Sequence, residues 1–88
     1  MDTEKQIVED FAKGMIAKIS LRHARYTPMG WATMDVKRLL MLLRQELDEL
    51  ENATNLRADE AIDVANYACF IWFLTKGQLP EPPDPGAP

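Results

Sequence analysis

Between Ala61 and Leu74 the chain has almost no side chain that a helix could turn toward water, and this stretch limits the available folds more than any other. Ile62, Val64, Ala65, Ala68, Cys69, Phe70, Ile71, Trp72 and Phe73 cover the circumference of an α-helix, and a helix apolar all round has to be enclosed. The stretch is too short to cross a bilayer, so the enclosure must come from protein. With 88 residues in all, one domain is expected. A chain of this size buries little of its surface alone, so self-association is expected as well.

The segments that would do the enclosing are also helical in pattern. Thr3 followed by Gln6 reads as a capping box, after which Ile7, Val8, Phe11, Met15, Ile16 and Ile19 recur at helical spacing, predicting a first helix from about residue 2 to about residue 24. Tyr26, Thr27, Pro28, Met29 and Gly30 punctuate the chain with a loop that delivers Trp31. Thr33 is the expected N-cap of a second helix with Asp35 in its first turn, running to about Asn52. After the short turn Ala53–Asn55, a third helix is expected from about Leu56 to Lys76, closed by Gly77. Residues 1–77 thus form the domain, and the proline-rich residues 78–88 a flexible tail.

On a wheel of about 100° per residue, Val36, Leu39, Leu42, Leu43, Leu47 and Leu50 make one apolar arc of the second helix. Glu46 falls inside that arc and Glu49 on its edge, while Lys37, Arg44, Asp48 and Glu51 lie opposite. On the third helix Asp59, Glu60, Asp63, Asn66 and Tyr67 share one stripe of the first half. Ionised carboxylates withdrawn from water are costly unless compensated, and neighbouring ones raise one another's pKa. Neither helix offers a lysine or arginine on its inward face near them. That leaves shared protons or a hard divalent cation, and oxygen-only ligands suit Mg²⁺ or Mn²⁺. A di-iron carboxylate site would want Glu-x-x-His, and the one histidine, His23, is far away in sequence.

Composition narrows the classes further. A net charge of −4 argues against nucleic acid as a partner, since neutralising a phosphate backbone needs a basic face. No segment reads as a signal peptide or membrane anchor, so a cytoplasmic location is expected. Cys69, the one cysteine, is expected as a small core residue, with no disulfide and no zinc site to build.

Glu46-Leu47-Asp48-Glu49 followed by Glu60-Ala61-Ile62-Asp63 resembles the Glu-x-x-Glu and Glu-x-x-Asp signature of the all-α MazG-like nucleoside triphosphate pyrophosphohydrolases, and is similar to small phage-type or gene-cassette members. Gly30-Trp31 before a leucine-rich helix and Asp63-Val64-Ala65-Asn66-Tyr67 extend the resemblance over roughly residues 11–74. It implies an antiparallel helical bundle in which Glu46, Glu49, Glu60 and Asp63 hold Mg²⁺. It also implies attack of water on the α-phosphorus of a nucleoside triphosphate, giving a monophosphate and pyrophosphate, with Glu46 or Glu49 orienting the water. By the same resemblance Tyr67 and Asn66 contact phosphate, Arg22 or Arg25 meets phosphate, and His23 and Trp31 contact or stack on the base. The family walls its site with four helices where this chain supplies three, so a homodimer or dimer of dimers is implied.

Plainer roles stand beside these. Trp72 reads as core, His23 as a residue near a helix end, and Lys18, Arg22 and Arg25 as a cationic helix C-terminus complementing the dipole. The rival function is a non-enzymatic helical dimerisation module with the third helix as its seam. That reading leaves the acids inside the seam unexplained.

Overall fold

The computed structural model describes residues 3–23 and 29–78. It is all-helical, with no strand among the described residues: α1 (Glu4–Arg22), α2 (Val36–Asn52) and α3 (Arg57–Thr75), with short 3-10 turns at Gly30–Thr33 and Lys76–Gln78. None of these helices is long and apolar enough to cross a membrane. Arg25 and the proline-rich segment from residue 79 onward lie outside the described residues.

Local chemistry accounts for the boundaries. The Thr3 hydroxyl accepts a hydrogen bond from the Gln6 N–H at 3.1 Å and starts α1. Its last turn carries Arg22 and ends at His23, whose N–H donates to the Ile19 carbonyl at 3.1 Å. The start of α2 corrects the sequence reading. Thr33 closes the 3-10 turn, and Asp35 is the cap, its carboxylate accepting from the Lys37 N–H at 3.0 Å. Two candidate caps two residues apart are indistinguishable by residue type, and the intervening turn decides between them.

The connection between α2 and α3 is only Ala53 to Leu56, short enough to make the two helices antiparallel neighbours. It closes with Leu56 in the left-handed region, at φ 57°, where a branched side chain is strained. Gly77 was expected to end α3 in that same region, but it lies inside the terminal 3-10 turn and has no positive φ.

Helix α3 packs against both α1 and α2. Its buried centre is Leu39, Tyr67 and Phe70, with Ile19, Trp31, Leu42 and Leu43 around it. Where α1 crosses α3, a Cβ placed on Gly14 would stand 2.9 Å from the end of the Ile62 side chain, so this crossing is close because residue 14 has no side chain. Asn66, 2% exposed, ties the same pair together by donating its amide to the Met15 carbonyl at 3.4 Å.

Full enclosure of α3 does not hold within one chain. Trp72 is 52% and Phe73 41% exposed, and Cys69, expected in the core, is exposed as well. The reason is geometric, because two neighbouring helices can shield only part of a cylinder. The outer side of the second half of α3 is left open.

Candidate functional site

The acids of α2 and α3 meet at the end of the hairpin nearest its turn. Glu46 and Glu49 stand one turn apart on α2, and Glu60 lies in the first turn of α3. One carboxylate oxygen from each comes within 4.8 Å of the other two. Leu56 does not spoil this placement, since its carbonyl accepts the Glu60 N–H at 3.0 Å and the helix is regular by that point. One oxygen of Glu46 and one of Glu60 are buried with no hydrogen-bond partner. Buried acceptors are nearly always satisfied, so two orphans on neighbouring carboxylates mark an arrangement short of protons or of positive charge.

The electrostatics agree. Burial, then the hydrogen bond and charge of Glu49, with Asp63 and Glu60 adding, push the Glu46 carboxyl from 4.5 up to about 7. Glu60 is raised by desolvation and by the charges of Glu49 and Asp63, with Lys18 pulling the other way.

Asp63, the fourth acid, is placed differently from the sequence expectation. Its carboxylate accepts from the Lys18 ammonium at 2.8 Å, and the same ammonium reaches Asp59 at 2.8 Å. The inward faces of α2 and α3 do lack a cation beside the acids, but α1 supplies one. Burial works against the charge on Lys18, and the hydrogen bonds and charges of Asp59 and Asp63 outweigh it, leaving its pKa raised. Lys18 is thus no mere complement to a helix dipole. The sequence held only a partial signal, in that Lys18 shares a helical stripe with Met15 and Arg22, which like it are half-buried.

One turn beyond the acids on both helices, the groove opens into a cavity of about 510 Å³ whose lining includes Arg22, His23, Trp31, Arg38, Leu42 and Tyr67. Leu42 precedes Glu46 by one turn and Tyr67 follows Asp63 by one turn, so the cavity begins one helical turn from the acids, none of which lines it. Trp31 stacks on Phe70 with ring centres 4.3 Å apart and planes 9° from parallel, and Phe73 meets it edge-on at 5.6 Å. The Tyr67 hydroxyl accepts from the Arg22 guanidinium at 3.3 Å, and that cation sits 5.5 Å from the Tyr67 ring centre.

Of the expected substrate residues, Trp31, His23, Arg22 and Tyr67 therefore share one cavity. His23 is also the exposed C-cap of α1, as expected of a residue near a helix end. Asn66 does not join them, since its burial against α1 makes it a tie between helices. Arg38 also lines the cavity, and its signal was available in the sequence, since on the wheel it lies beside Glu49 and Leu42 at the edge of the apolar arc, away from Arg44. Trp72 contributes nothing to the cavity or the core, and sits near Lys76, whose ammonium is 5.8 Å from its ring centre.

No family model matches the chain, and no solved structure matches it. A protein of Archaeoglobus fulgidus, described as an uncharacterized protein, is 39% identical over a 75-residue alignment covering 76% of this chain and 80% of the relative. At that identity and coverage, the chain belongs to the same family as this archaeal protein.

Proposed function

We propose that the protein is a Mg²⁺-dependent nucleoside triphosphate pyrophosphohydrolase of the MazG-like type, and the observation that carries this is the convergence of Glu46, Glu49 and Glu60 with two buried, partnerless carboxylate oxygens. The donor set fits a hard cation: all oxygen, negatively charged, on two rigid helices, and without histidine or cysteine. Glu46, Glu49 and Glu60 would hold Mg²⁺ or Mn²⁺, with Asp63 one turn beyond Glu60. The ion supplies charge neutralisation for the triphosphate and polarisation of the phosphorus under attack.

The chain's own residues divide the remaining work. Glu46 or Glu49 would orient a water and accept its proton. The guanidinium of Arg22, held against Tyr67, lines the cavity and would meet phosphate oxygens there. Trp31, backed by Phe70, gives the cavity a flat apolar surface on which a base can lie.

A homodimer is part of the proposal. Only Leu39, Tyr67 and Phe70 are buried hydrophobics among the described residues, while Trp72, Phe73 and Phe11 remain exposed, an apolar surplus suited to a second copy. The same surplus favours the second reading, a helical dimerisation module without catalysis.

Hydrolysis of a panel of nucleoside triphosphates, followed as pyrophosphate release, separates the two. The enzyme reading expects release with Mg²⁺ that is lost with EDTA and in Glu46→Gln. No turnover on any triphosphate, together with a melting temperature that Mg²⁺ leaves unchanged, overturns it in favour of the module.

A further inference from the structure

The ammonium of Lys18 is satisfied by three acceptors, the carboxylates of Asp59 and Asp63 at 2.8 Å each and the Asp59 carbonyl at 3.4 Å. The Lys18 side chain is 23% exposed, whereas those of Asp59 and Asp63 are 46% and 26% exposed. Asp59 and Asp63 are four residues apart on α3, so the ammonium bridges one turn of that helix. Two of its acceptors belong to Asp59, on the wetter side, and only one to Asp63, on the side of the acid cluster. Each of Glu46 and Glu60 feels the Asp63 charge, yet neither receives a hydrogen bond from Lys18.

We propose that Lys18 is an exchangeable counter-ion: its ammonium holds Asp63 while the cluster carries no divalent cation, and cedes Asp63 to that cation while remaining on Asp59. This rests on the reading of the glutamate cluster as a cation site. The physical argument is that one carboxylate cannot serve both partners equally. A divalent ion among Glu46, Glu49 and Glu60 draws the adjacent Asp63 charge toward itself and repels an ammonium one residue farther out. Asp59 makes the exchange cheap, because the displaced ammonium keeps a carboxylate and a carbonyl and is never left as a bare buried charge. Lys18 is on this account a positioning residue that sets how tightly the site takes its ion.

The test is Mn²⁺ titration of the full chain by electron paramagnetic resonance, with Lys18→Met, Asp59→Asn and the double variant. Removing the competing ammonium in Lys18→Met should tighten Mn²⁺ binding by about ten-fold. Asp59→Asn, which leaves Asp63 as the ammonium's only carboxylate beside the carbonyl of residue 59, should weaken binding, and this weakening should vanish in the Lys18→Met background. Equal affinity in wild type and Lys18→Met, or an Asp59→Asn effect of the same size in both backgrounds, overturns the exchange while leaving the cation site standing. Absence of Mn²⁺ binding in every form overturns the cation site and the exchange with it. Should Lys18→Met not fold, wild-type protein decides alone: saturating Mg²⁺ must shift the Lys18 ammonium nitrogen resonance, and an unmoved resonance overturns the proposal.

Discussion

The two ends of the groove between α2 and α3 are built on opposite terms. At the turn end, Glu46, Glu49 and Glu60 crowd together with orphaned oxygens and a carboxyl pushed up to about 7. At the other end Trp31, Phe70 and Tyr67 are stacked, edge-packed and hydrogen-bonded, with Arg22 over one ring. One end gathers partly buried acids, and the other holds the buried core of Leu39, Tyr67 and Phe70. If the acids serve a ligand, the division keeps them apart from the groups that hold the helices together, so that either end can be altered with limited damage to the other.

The largest effect that would test this division is on turnover. Glu46→Gln should lower Mg²⁺-dependent pyrophosphate release on the order of a hundred-fold or more, while the metal-free protein at neutral pH melts no lower than wild type. A melting temperature that falls steeply in this variant would erase the contrast between the two ends. The converse experiment is Trp31→Ala, which should cost about 2 kcal/mol of stability in urea unfolding, because a half-buried ring loses its stack on Phe70.

A third effect is smaller and carries a definite sign. The Glu46 carboxyl lies at about 7 in the folded chain against 4.5 as its ordinary value, so the folded state holds more protons between those limits. Metal-free stability should therefore fall as pH rises from about 4.5 to about 7 and level off beyond. Saturating Mg²⁺ should reverse that slope, since the ion competes with protons for the same oxygens. Melting curves across that range, with and without Mg²⁺, read it directly. The smallest change is expected for Arg22→Met, which removes the donor to Tyr67 and should cost about 1 kcal/mol, with a larger effect on substrate KM than on unfolding.

Much of α2 was legible in the sequence because its leucines recur with a clean helical period, and Glu46 stood out by interrupting them. Leu39 at the arc's centre is fully buried, although Leu47 is 51% exposed. The meeting of Glu46 and Glu49 with Glu60 followed from two pairs of acids three residues apart, Glu46 with Glu49 and Glu60 with Asp63, on helices joined by a short turn. Lys18 was harder to see, since its reach to Asp59 and Asp63 depends on how α1 crosses α3, and spacing within one helix carries no information about a crossing. The exposure of Trp72 and Cys69 escaped the sequence for a related reason: an apolar pattern says that a face requires cover, not that the same chain provides it.

The contact between Gly14 and Ile62 acts as a detent for this arrangement. Gly14 and Lys18 are one turn apart on the same side of α1, so whatever fixes the depth and sliding position of residue 14 against α3 also fixes how far the ammonium extends. A side chain at position 14 would have to displace the end of the Ile62 side chain, a flexible group, before it moved either helix. A steric change at position 14 therefore acts first on Ile62, and reaches the contact between Lys18 and Asp63 only once that side chain can yield no further.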